Sequence, residues 1–180
     1  MEIDQSLDLS QETLFDRLIL FTTAGMFALM IFLASFQVFA RQLSIPISTA
    51  WTEPAARFVL IVATFFGAAV ATRNREHIRM TFVLDKLSER RPSLRRAFDC
   101  LSSVLVVVFL VFALAGTMPA IASNWGSSLG GVGFVTSGML YLGISLGLIC
   151  MLIYELQLFY REYLQTTFRD ALETVGGPWN

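Results

Sequence analysis

The sequence predicts an all-α integral membrane protein with four transmembrane helices, both termini cytoplasmic, and an interfacial amphipathic helix between spans two and three. Of the 180 residues, 55% are hydrophobic and only 15% charged, a balance far from that of a soluble domain. From Cys100 to Tyr154 there are 55 consecutive residues without Asp, Glu, Lys or Arg. The basic residues that remain fall almost entirely in alternate connections. The 13 Lys and Arg nearly cancel the 14 Asp and Glu, so the net charge of −1 argues against a nucleic-acid partner.

The first span is predicted over 18–40, a run of 23 uncharged residues between Arg17 and Arg41. At 1.5 Å rise per residue it crosses a hydrocarbon core of about 30 Å. The preceding Glu2, Asp4, Asp8, Glu12 and Asp16 are unlike the basic start of a cleaved signal, so the span is read as retained. The second is predicted over 51–72. Its uncharged stretch, 58–72, is too short alone and must borrow Trp51 to Arg57, which puts Glu53 and Arg57 near the polar boundary. Pro54 suits a first helical turn, with Thr52 as an acceptable N-cap before it.

The long uncharged run divides at 123–131, where SNWGSSLGG has the chemistry of an interfacial turn, giving spans three and four over 100–122 and 135–158. Pro119 should end or kink span three late. All four spans form one membrane domain, 1–180, without visible internal repeats. Counting Lys and Arg by connection places 11 on one side and 2 on the other. The positive-inside rule makes the richer side cytoplasmic, together with both termini and the 73–99 connection. Within that connection Met80, Val83, Leu84 and Leu87 share a helix face, so a helix lying on the membrane is expected. The basic cluster Arg90, Arg91, Arg95 and Arg96 sits where anionic lipid headgroups attract it.

Catalysis or pumping needs polar groups converging inside the membrane, and the predicted spans hold few. Spans one and three carry no ionisable acid or base, span four only Glu155 near its inner end, and span two Glu53 and Arg57 near its outer end. Those two are four apart with the acid first, so each can neutralise the other. The pair serves either structure alone or contact with a partner subunit or an anionic solute. His77 is the single histidine, which excludes bis-histidine haem ligation and disfavours a metal cluster. Cys100 and Cys150 have no CxxC spacing, and neither a phosphate loop nor a catalytic triad can be assembled. No cofactor, metal or enzymatic activity is expected. Small residues are better placed. Ala63, Gly67 and Ala71 recur at i+4 in span two, and Gly143 and Gly147 form a GxxxG in span four, leaving strips for close helix approach.

The segments W-T-E-P-A-A-R (51–57), F-F-G-A-A-V-A-T-R (65–73) and E-H-I-R (76–79) resemble the small membrane subunit, the Q-type component, of tripartite ATP-independent periplasmic (TRAP) transporters. The resemblance covers nearly the whole chain. It implies a large multi-span permease partner that carries the substrate and ion sites, and a periplasmic binding protein that captures the solute. The small subunit then braces the scaffold against which the large subunit moves a small anionic solute, such as an organic acid, using an ion gradient in the cell inner membrane. By that resemblance Trp51, Glu53 and Arg57 lie near the periplasmic surface where the binding protein docks. Gly67, Ala68, Ala69, Arg73 and His77 match the family's span-two face and following loop. Pro54 departs from the pattern, standing where many members have a second acid, so the resemblance implies no role here that needs adjacent carboxylates. Two other readings stay open from the residues alone. One is a self-sufficient four-span proton-coupled transporter using Glu53, and the other a membrane anchor of a respiratory or signalling complex.

Overall fold

A computed structural model describes residues 13–43, 48–73, 92–130 and 132–160. Four helices long and apolar enough to cross a membrane make up most of it. Helix α1 spans Leu14–Gln42 and α2 spans Thr52–Arg73. Helix α3 spans Pro92–Ser123, with its apolar part at Cys100–Ser123, and α4 spans Ser137–Phe159. Between α3 and α4 lies a small antiparallel hairpin of β1, Ser128–Leu129, and β2, Val132–Thr136.

Helix α1 begins four residues ahead of its uncharged run because Thr13 and Asp16 form a reciprocal capping box. The Asp16 N–H donates to Thr13 Oγ1 at 3.3 Å, and the Thr13 N–H donates to Asp16 Oδ2 at 3.0 Å. Two otherwise unpaired backbone donors are thereby satisfied. The buried residues Asp16, Ile19, Thr23, Leu33 and Ala40 then lie along one stripe at spacings that sum to heptads, so α1 has a single packing seam.

Thr52 is not the cap expected from sequence. It is the first helical residue of α2, fully buried, and its hydroxyl donates 2.7 Å back to the Thr49 carbonyl. Pro54 accordingly falls in the first turn, where its missing N–H costs nothing. Pro119 does not end α3, which runs on to Ser123, where the Ser123 hydroxyl bonds the Pro119 carbonyl at 3.0 Å. The expected plain turn after it is a hairpin instead. Uncharged strand residues reach Thr136, so Val135 belongs to β2 and the last helix starts at Ser137, capped by Thr136 Oγ1 accepting from the Met139 N–H.

The helices pack in the order α1–α2–α4–α3. Of the most apolar stretches of α2 and α4, 39% and 33% of the residues are buried within the chain, against 17% in α1 and 6% in α3. The arrangement is therefore an open row with α2 and α4 central, not a closed four-helix bundle. Its outer helices expose large apolar side chains, among them Phe21, Phe32, Phe39, Leu105, Phe109 and Phe112. In water such a surface would be untenable, while in lipid it is ordinary.

The expected interfacial helix, His77, Arg90 and Arg91 lie outside the described residues. Arg95 and Arg96 fall on the first turns of α3, and their side chains are likewise outside what is described.

Candidate functional site

The centre of the row is where α4 meets α2. A Cβ placed on Gly143 would lie 2.6 Å from Val62 Cγ2, and one on Gly147 would lie 2.5 Å from Phe65 Cβ. Both distances are impossible for real atoms, so these glycines are what lets the two backbones approach. On the other side of α2, Gly67 faces Phe27 and Thr23 of α1, with ordinary van der Waals room at 3.6 Å for an added methyl. Ala63 and Ala69 are completely buried, and Ala68 and Ala71 are half-buried. The two small-residue strips thus differ. The α4 pair sets a contact distance, whereas Gly67 only lines one.

Each end of the row carries a fastener absent from the sequence reading. At the end where α1 starts and α2 and α4 finish, Asp16 joins three helices. The Tyr154 hydroxyl donates to Asp16 Oδ1 at 2.8 Å, and Arg73 Nε lies 3.4 Å from the same oxygen. The Tyr154 ring also tilts against Phe15 with centroids 5.8 Å apart. Ile19, Ala69 and Tyr154 form a buried cluster directly beside this clamp, with Phe66, Val70, Cys150 and Met151 packed around it. Glu155 is buried at the same end. At the opposite end, Val132 of the hairpin is 1% exposed and wedged with Leu33 of α1 and Ala55 of α2, so the α3–α4 connection reaches across to the first two helices. The start of α4 is tied to the turn between α3 and β1 by Gly138 N–H donating to the Asn124 carbonyl at 3.0 Å and Ser137 N–H to the Ser127 carbonyl at 2.8 Å.

Within the apolar zone a polar contact links neighbouring helices, with Ser145 Oγ 2.8 Å from Thr117 Oγ1. Both hydroxyls also reach backbone carbonyls of their own helices, at Tyr141 and Leu114, so neither is left unsatisfied. Thr117 falls seven and fourteen residues after the buried Leu110 and Ser103, which marks the face of α3 turned to α4.

The residues singled out in 51–73 separate into two sets. Gly67, Ala69 and Arg73 face neighbours inside the chain. Glu53 and Arg57 pair with each other at 2.6 Å and remain 54% and 74% exposed, beside a Trp51 that is also exposed. Among the described residues no three His, Cys, Asp or Glu side chains gather as a metal site. The signal for the clamp was present in T-L-F-D at 13–16, a capping-box pattern, but its tie to Tyr154 spans 138 residues and no local rule reaches that far.

Fold and site together define a multi-pass membrane component built for helix packing. The model of the family of tripartite ATP-independent periplasmic transporters, DctQ component, matches residues 30–165, and the chain belongs to that family. It is a TRAP transporter small permease subunit, a multi-pass protein of the inner membrane. It is also similar to the isethionate TRAP transporter permease protein DctMQ of Oleidesulfovibrio alaskensis, with 33% identity over 99 residues. That match covers 52% of this chain and 14% of the relative, so the chain corresponds to a small part of that longer protein.

Proposed function

We propose that this subunit is a non-catalytic brace for a large permease subunit that imports a small anionic solute, such as an organic acid, by symport with an ion gradient. The observation that carries the reading is the one-layer row of helices fastened at both ends, by the Asp16–Tyr154–Arg73 clamp and by the Val132 wedge. Such a row resists internal rearrangement and widens whatever it lies against. Its membrane-embedded hydroxyls bond carbonyls of their own helices, as at Thr23, Thr64 and Thr72, or link neighbouring helices, as at Ser145 and Thr117. The name of the related protein, a permease for isethionate, accords with an anionic solute.

Both termini and the 73–99 connection are cytoplasmic in this reading, from the excess of Lys and Arg on that side. The hairpin and the Glu53–Arg57 pair then lie toward the periplasm, with Trp51, near a docked solute-binding protein. His77 and Ala68 are further candidates for partner contact. Arg90, Arg91, Arg95 and Arg96 lie against anionic lipid.

Purification in mild detergent should bring down a large hydrophobic partner, and this chain alone in liposomes should take up nothing. Uptake by the isolated chain, abolished by Glu53→Gln, would transfer the function to the self-sufficient transporter reading.

A further inference from the structure

The row places α4 between α2 and α3, although α2 and α3 are consecutive in the chain. Residues 74–91, which join Arg73 at the end of α2 to Pro92 at the start of α3, must therefore pass the finishing end of α4 on one side or the other. The two sides differ. Gly147 faces α2 and Ser145 faces α3, and at 100° per residue they lie about 160° apart around α4. Glu155 falls midway on one side, about 80° from each. It is 7% exposed, whereas Leu142, Leu146 and Leu156 on the opposite side are open. Among the described residues none pairs with the Glu155 carboxylate. Its neighbours three and four places along the helix are Met151, Leu152, Leu158 and Phe159, and Arg73, at the same end of the row, is turned to Asp16.

We infer that residues 74–91 cross α4 on its Glu155 side and that Arg79 supplies the counter-charge to the Glu155 carboxylate. Adjacent helix axes are about 8–10 Å apart, so the step from α2 past α4 to α3 is about 16–20 Å. The run 78–87, expected from sequence as a helix, covers about 15 Å of it and leaves residues 74–77 and 88–91 to make the two joins. The apolar face of Met80, Val83, Leu84 and Leu87 then rests on the helix ends. Arg79, Lys86 and Arg90 recur along one border of that face, while Asp85 and Glu89 lie away from it, so the border is basic where α4 offers an acid. A carboxylate this enclosed is costly to hold without a cation, and the planar fork of an arginine suits it best. The opposite side of α4 presents leucines and offers no acid. Anionic lipid headgroups compete for Arg79, and the residues after Tyr160 compete for Glu155.

Cysteine cross-linking of the full chain in native membranes tests this, with Cys100→Ser and Cys150→Ala in place. Val83→Cys combined with Leu158→Cys, half-buried near Glu155, should cross-link within one chain through a short bifunctional reagent. Combined with Leu156→Cys, on the open side, it should give at least fivefold less. Arg79→Glu should lower the Leu158 yield at least threefold, and adding Glu155→Arg should restore most of it, whereas Lys86→Glu should change it little. A larger yield at Leu156, a product of twice the chain's mass, a Leu158 yield indifferent to Arg79→Glu, or a charge exchange that restores nothing would each overturn the inference. So would absence of the Leu158 product while an Ala69→Cys chain that keeps Cys150 still cross-links, since the row is then intact and residues 74–91 lie elsewhere.

Discussion

Asp16 does three jobs at one position, since its carboxylate caps α1, accepts the Tyr154 hydroxyl and faces Arg73. Removing it by Asp16→Ala deletes the reciprocal half of the capping box and takes the carboxylate away from Tyr154 and Arg73 in a mostly buried place, so a loss of about 3 kcal/mol is expected. Tyr154→Phe removes one hydrogen bond and should cost about 1 kcal/mol. Thermal unfolding of the purified protein in detergent checks both, and equal effects would mean that the three groups do not act through Asp16. Glycines give a second contrast at this scale. Gly147→Ala forces a methyl into Phe65 and should cost roughly 1–3 kcal/mol, while Gly67→Ala meets only ordinary contact with Phe27 and should be nearly neutral. A destabilising Gly67→Ala would show that α1 and α2 lie closer than their described packing.

Among the elements, the hairpin is the one with least regular structure and the longest reach. Val132→Ala should lower stability by about 2 kcal/mol, because the side chain is enclosed by residues of two other helices. If the melting temperature is unchanged, the wedge does not hold the row together. Helix α3 depends on α4 through an apolar face and one hydroxyl pair. A double-mutant cycle of Thr117→Val and Ser145→Ala should yield a coupling of about 0.6 kcal/mol, typical of such bonds between membrane helices. On α2, replacing either Glu53 or Arg57 alone strands a charge at the edge of the apolar span. Each single change should therefore reduce assembled complex more than an apolar double replacement, measured as permease recovered with the tagged chain. Equal and negligible single effects would remove the case for the pair.

For the whole molecule, the open order α1–α2–α4–α3 makes a geometric prediction. Cys150 packs beside the cluster containing Ala69, so Ala69→Cys should cross-link to it within one chain through a short bifunctional reagent. Cys100, on the outermost helix α3, should cross-link to no cysteine placed along the membrane-spanning part of α1. A closed bundle would bring those flanks together and reverse the second result. How the row stands in the membrane is a separate matter, tested by labelling the 73–99 connection, which should react only from the cytoplasmic side.

Much of this was legible in the residues themselves. A 55-residue stretch without charge and two further apolar runs already dictate four spans, because a bilayer excludes charge over a fixed thickness. The Glu53–Arg57 pair follows from i,i+4 spacing, and the segments of 51–79 carried the family. Local rules failed where the chain meets itself at a distance. Thr52 carries a good capping side chain yet turned inward, because the preceding chain curls back to offer it the Thr49 carbonyl. The stretch up to Thr136 became a strand because the hairpin had somewhere to dock, with Val132 between Leu33 and Ala55. An apolar sequence thus sets how many times the chain crosses, since solvation acts on each residue independently. It does not set which helices become neighbours, since apolar side chains are equally soluble against lipid or against one another. That choice fell to two glycines that admit close contact, a buried acid with two partners, and one valine.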